Sequence, residues 1–281
     1  MIAWDTNVAP RSKAARGLNP QHSPPVGGRV SRFTLAATLV GCLALTQETK
    51  GQNGPAVPPA SMDHAIALLA ETRVRFQDVR DYECRSVSRE WVNGTLLPEC
   101  VMTMKARTKP FSVYLRCESP DADKGMEVCY VEGTNKGMMR VHPAGVQGVA
   151  GFWSVDPHDA RAFEKNRHCV TEAGIGHLLE STARYWEMER RLNKTLVCIT
   201  DEEIGGRACT RIETVHPDRG AGSFYGYRCV LWLDKATRLP AGAETYDWPR
   251  RGGPGGGDLL ESYRFLDLRC NTGLGDDIFR Y

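Results

Sequence analysis

The chain is short of most local signatures that announce chemistry. It has no G-x-S-x-G elbow, no H-E-x-x-H pair, no Walker A loop and no G-x-G-x-x-G turn. Nucleophile-elbow hydrolases, zincins and nucleotide-binding folds therefore have no local support. It also lacks any C-x-x-C pair. Its ten cysteines, Cys42 among them, are widely spaced, and clustered zinc ligands are not to be read from them. No apolar run reaches the roughly 18 residues of a membrane-spanning helix. Charge of one sign is also scarce, with 36 Lys and Arg against 34 Asp and Glu. Residues 1–50 hold six of those bases and only two acids, so the remainder is slightly acidic. A nucleic-acid partner, which needs a basic surface, is not expected.

What is present begins with a leader. Arg32 precedes the uncharged stretch Phe33–Leu45, "FTLAATLVGCLAL". As a helix it would span only about 20 Å, short of a bilayer core, which fits a signal-peptide h-region better than a span. Residues 1–45 are thus read as a signal-peptide region, 46–60 as a Pro/Gly-rich linker, and 61–281 as the folded domain. Leu39-Val40-Gly41-Cys42 matches a lipobox, so Cys42 is a candidate lipidation site. Ordinary cleavage between Ala44 and Gly51 is the alternative. Membrane contact is expected only if Cys42 is acylated, and the expected location is the periplasm or envelope.

Ser61 can cap a helix to about Asp78, with Met62, Ala65, Ile66, Leu69, Thr72 and Phe76 along one face. From Tyr82 the hydrophobic period falls to two, over runs near 82–92, 95–107, 111–118, 126–132 and 138–142. A second helix is expected over about 171–192, carrying Ile175, Leu178, Leu179, Thr182, Trp186 and Glu189. Strands then return near 195–203, 207–215, 224–233, 239–247 and 259–269. Asn93-Gly94 and Gly205-Gly206 suit tight hairpin turns. The pattern predicts a mainly β (α+β) protein. It would be a single curved antiparallel sheet, an incomplete barrel of about ten to eleven strands, with two or more helices on its concave side.

"LWLDKATRLP" (Leu231–Pro240) resembles a hairpin of LolA/LolB-like envelope proteins, which carry or receive lipoproteins. "YRFLDLRCNTGLGDDIF" (Tyr263–Phe279) resembles their last strand and terminal turn. "KPFSVYLRC", "EVCYVEGTNKG" and "SVDPHD…NRHCVTEAGIGHLLE" resemble a planctomycete family known as domain of unknown function 1571. The resemblance covers about residues 81–279. It implies the half-barrel fold and, by analogy, an exported non-enzymatic protein that binds a lipid or an acylated lipoprotein as a monomer and without a cofactor. The alternative is an envelope structural or interaction module with a fully packed core and no ligand.

On physical grounds Asp234 should accept turn N–H groups, and Pro240 belongs at a strand start or edge. The hairpin is therefore expected toward an open side of the sheet. Alternation puts Phe111, Val113 and Leu115 on one apolar face, and Tyr227, Leu231 and Leu233 on another. These six could line an acyl-chain cavity or be ordinary core. No metal site is expected: Asp156-Pro157-His158-Asp159 reads as a Pro turn, and His168 and His177 as packing or capping residues. If the hairpin of 111–118 with 126–132 is symmetric about Asp123, Cys117 faces Cys129. The pair would then form a disulfide or lie as neighbouring thiols.

Overall fold

The structure, a computed structural model, describes residues 60–220, 224–253 and 255–280. The leader, Cys42 and the linker up to residue 59 lie outside them. Two α-helices, α1 (Met62–Gln77) and α2 (Ile175–Leu192), accompany twelve strands. The first seven strands are β1 (Asp81–Val92), β2 (Thr95–Leu96), β3 (Cys100–Arg107), β4 (Ser112–Ser119), β5 (Glu127–Val131), β6 (Met139–His142) and β7 (Trp153–Val155). After α2 come β8 (Leu196–Ile204), β9 (Arg207–Val215), β10 (Arg228–Asp234), β11 (Pro240–Tyr246) and β12 (Leu259–Cys270). They form one antiparallel sheet in the order β7-β6-β5-β4-β3-β1-β12-β11-β10-β9-β8, with β2 paired to β1 alone. The two edge strands do not meet, so the barrel is open. No helix among the described residues is long and apolar enough to cross a membrane.

The local chemistry explains the elements. Ser61 accepts the His64 amide at 3.1 Å and starts α1. Asn93 and Gly94, both at positive φ, turn β1 into β2, and Gly205 and Gly206 turn β8 into β9. Pro98 follows the end of β2 and divides the strand expected over 95–107. The short edge strand β7 was not expected, because three residues give no readable period.

Both helices cover the same face of the sheet, called the inner face below. Ala65 and Leu69 of α1, Ile175, Leu179 and Trp186 of α2, and Tyr82, Met104, Val113, Ile212, Leu231 and Phe265 of the sheet make one core. On the outer face, Phe279 of the C-terminal segment packs on Tyr114 and Cys129. Phe76 of α1 rests over Gly176 of α2, where a Cβ would meet its ring at 3.1 Å. A bidentate Arg73–Glu180 pair ties the same two helices together.

Two expectations are corrected. The hairpin of β10 and β11 is not near an open side: β10 lies two strands in from the β8 edge, and β11 pairs with both neighbours. Pro240 is tolerated there because it is the first residue of β11, beside a register shift opposite Trp232 and Leu233. Asp234 does what its position predicts, accepting the Ala236 and Thr237 amides at 2.9 and 2.8 Å. The second correction concerns Cys117 and Cys129, which are both free thiols. Cys129 faces Tyr114, three residues from Cys117, so the two thiols point to opposite faces. The cause is a bulge. Gly125, at φ +86°, donates to the Cys117 carbonyl while the Cys117 amide donates to Met126, and two residues oppose one. Cys117 instead meets the thiol of Cys100 on β3, and Cys129 donates to the Phe279 carbonyl at 3.5 Å.

Candidate functional site: the inner face of the sheet

The inner face has an apolar part and a polar part. The apolar part lies under α1 and the start of α2. Val113, with no exposed surface, Leu231 and Leu233 belong to its core, and Phe111 and Leu115 pack against it. Five of the six expected cavity residues are thus brought onto one face, where helix side chains fill the space between them. Tyr227 stands apart, its ring 6.5 Å from that of Trp248. Two depressions lie elsewhere, one along α2 at Arg184, Glu187 and Arg191 and one beside Phe279 and Arg280.

The entry of α2 onto this face is fixed by one close approach. The Ile175 amide donates to the Tyr82 hydroxyl at 3.0 Å. At Gly174, φ is +87° and a Cβ would strike that hydroxyl. Only glycine satisfies both conditions. Burial pushes the Tyr82 phenol far above its ordinary range, against the Ile175 hydrogen bond.

The polar part lies where the segment before α2, residues 156–173, crosses β12. Glu261 is buried there, and its Oε2 accepts from Arg167 Nε at 3.2 Å, His168 Nε2 at 2.9 Å and the Tyr225 hydroxyl at 3.0 Å. Thr245 on β11 donates to its other oxygen at 3.3 Å. His168 Nδ1 faces Glu172 at 3.0 Å. Glu90 on β1 accepts the Arg167 amide at 2.5 Å and the Tyr263 hydroxyl at 2.7 Å, and Arg167 also donates to the Trp91 carbonyl. The segment is therefore strapped to the sheet by charge and hydrogen bonds.

Electrostatics fit this geometry. Burial would depress the His168 pKa, but its hydrogen bonds to Glu172 and Glu261 and their charges raise it to about 10. Burial alone would raise that of Glu261; His168 and Arg167 hold it below the ordinary carboxylate value. At neutral pH His168 is an imidazolium with both nitrogens donating to carboxylates, so it has no lone pair to act as a base. Burial pushes the Cys84, Cys100 and Cys229 thiols up to about 12 and Cys129 to about 11, keeping them protonated and poor nucleophiles.

Farther along the same face, His216 Nδ1 donates to the Gly226 carbonyl at 2.6 Å. Its Nε2 lies 3.1 Å from Glu189 Oε2 of α2, off the hydrogen-bond line, and both groups are buried. The buried Thr214 hydroxyl lies beside the Cys229 thiol.

In the Asp156–Asp159 turn, Asp156 accepts the His158 amide at 2.8 Å and Asp159 pairs with Arg161. Among the described residues no group of three or more His, Cys, Asp or Glu side chains is arranged to hold a metal ion. Sequence reasoning found His168 only as a packing residue and missed Glu261, Glu90 and Tyr225. Their one available signal was a Glu on an otherwise apolar strand face.

A family model described as "Protein of unknown function (DUF1571)" matches residues 79–281. The chain belongs to this family. No curated protein matches it. Among solved structures, the chain is similar to a putative outer membrane lipoprotein-sorting protein domain from Vibrio parahaemolyticus. There the identity is 14%, coverage is 78% of this chain and 97% of that one, and the TM-score is 0.39. It is also similar to lipoprotein LppX of Mycobacterium tuberculosis (12%, 76% and 99%, 0.43). A LolA superfamily protein from Nitrosomonas europaea is a third (13%, 79% and 99%, 0.30).

Proposed function

We propose that this family member is an exported, non-enzymatic protein of the cell envelope that binds a lipid, or the acyl part of a lipoprotein, on the inner face of its sheet. The observation that carries this reading is the division of that face. An apolar half under the helices adjoins a polar half that holds Glu261 with His168 and the buried Glu189–His216 pair. An amphiphile needs both, one half for its chain and one for its ester or headgroup.

The apolar half is occupied by helix side chains, so a chain enters in exchange for part of a helix. α1 is the element to give way, because it fully buries only Ala65, Leu69 and Thr72. Burying about two to four methylenes at roughly 0.8 kcal/mol each offsets exposing a side chain such as Leu69, at about 1.5–3 kcal/mol. The exchange is close to balanced, which suits a carrier that must also release. Protonated thiols and a doubly clamped His168 support the non-enzymatic reading.

Lipid extraction and native mass spectrometry of protein purified from its own envelope test this directly. A co-purifying lipid is expected; protein that is always empty and takes up no fluorescent fatty acid would overturn it. Intact mass also reads processing. A diacylglycerol adduct on Cys42 means an anchored protein, a start beyond Ala44 a soluble one, and retention of Arg11–Arg29 neither. The second reading, a surface interaction module, is favoured by the continuous packing of Val113, Leu231 and Leu233, and predicts the empty outcome.

A further inference from the structure

The edge hairpin of β6 and β7 carries the two most exposed large apolar side chains of the described residues, and a half-exposed tryptophan beside them. Val146 is 90% exposed, Val149 86% and Trp153 44%, all within one ten-residue connection and the strand that follows it. Soluble surfaces seldom group such side chains at a projecting tip without a partner. The connection has a built shape. Gly148 lies so close to the Pro143 carbonyl and the His142 ring that a Cβ would approach both within 2.7 Å, and the Phe152 ring sits 5.0 Å from that of His142. The valines are therefore held outward.

The hairpin itself carries charge of one sign, and the acid opposite His142, Glu127 on β5, is paired with Arg116. From Gly133 to Val155 there is no Asp or Glu, whereas Lys136, Arg140 and His142 are present. Arg140 pairs with Ser154 across the hairpin, two residues, or about 7 Å, below the start of the loop. It lines a depression with Thr134, Asn135, Phe279 and Arg280, and its Nε is buried without a hydrogen-bond partner. The carboxylate nearest Arg280, Asp276 at 3.8 Å, is already held by Arg107 at 2.6 Å.

We infer that this hairpin is a membrane-docking element: Val146, Val149 and Trp153 enter the interfacial layer, and Arg140 with Arg280 takes an anionic headgroup. The occupant is a lipid surface because an apolar tip above Arg140, whose Nε has no hydrogen-bond partner, and Arg280, which shares Asp276 with Arg107, matches the layering of such a surface, with chains inside and phosphates outside. The inference rests on the envelope location proposed above. It is independent of what the inner face holds, so an empty inner face on extraction leaves it standing.

The test uses the full chain and variants that share every other residue, so that differences report the hairpin alone. Vesicles of phosphatidylcholine, with and without phosphatidylglycerol, measure binding by co-sedimentation. Brominated phosphatidylcholine measures depth by tryptophan quenching. Val146→Asp with Val149→Asp touches exposed side chains only and should weaken partitioning about tenfold or more. Trp153→Phe should remove a distinct share of the quenching. Arg140→Gln should lower binding to anionic vesicles about fivefold and leave neutral vesicles unchanged. If the double valine variant binds as the parent does, or if Trp153 contributes no quenching, the inference is overturned. Self-association of the parent that the double variant abolishes would overturn it too, in favour of a second copy as the occupant.

Discussion

Under α1 and the start of α2, the inner face is made of Val113, Leu231, Leu179 and their neighbours, which close over one another. Under the end of α2 and the 156–173 strap, the same side of the sheet presents Glu261, Thr214 and His216, the last facing Glu189 of α2. The two halves share strands and differ in what holds their cover. Apolar contact is non-directional and yields to any apolar substitute, including a lipid chain. A buried carboxylate with three donors on one oxygen accepts no substitute and makes its cover rigid. One half can therefore exchange its contents while the other keeps the chain in register.

The strongest way to break this contrast is Glu261→Ala. It removes the buried carboxylate that Arg167 and His168 share and leaves His168 with Glu172 alone, and a loss of about 3–5 kcal/mol is expected in urea unfolding. A loss below about 1 kcal/mol, as for exposed pairs, would mean that the strap contributes little. Leu179→Ala probes the apolar half, where a loss of about 2–5 kcal/mol is expected. Added fatty acid should recover part of that loss if the cavity takes a chain, whereas the Glu261→Ala loss should not respond. Gly174→Ala sets a Cβ against Tyr82 at a positive φ and should cost about 1–3 kcal/mol. Tyr82→Phe in the same chain should relieve the collision but not the backbone strain, so the two losses should not add.

The smallest effect is a pH dependence confined to the strap. The pKa of His168 rises from 6.5 to about 10 on folding, so its stabilisation is complete below about 6.5 and fades as pH climbs toward 10. Glu261 and Glu172 are held below 4.5, so theirs is present above that value and fades under acid. Protection factors of the Arg167–Glu172 amides, corrected for the intrinsic pH dependence of exchange, should therefore fall toward pH 10 and again at low pH, with α1 amides following neither trend. Equal responses in α1 and the strap would erase the distinction between the halves.

Much of the scaffold could be read along the chain because its causes are local. The period-two runs, Asn93-Gly94, Gly205-Gly206, Ser61 and the Asp234 turn each act over a few residues, and each is found where those residues place it. The six apolar residues proposed as cavity lining were read onto the right kind of face for five, but whether that face is hollow depends on how far the helices descend. The pairing of Cys117 failed for a related reason. One glycine at positive φ adds a residue to one strand, and no periodicity reveals it.

The residues by themselves determined an open antiparallel sheet with two helices on one face, since alternation and turn chemistry leave little else for such a chain to form. Only the tertiary structure decided that His168 and Glu261, 93 positions apart, would share a hydrogen bond. The same holds for Glu189 and His216, which come together only when α2 lies across β9. A side chain's charge partner depends on which strands become neighbours, and that order is set by the closure of the whole sheet over its core, not by any window of sequence.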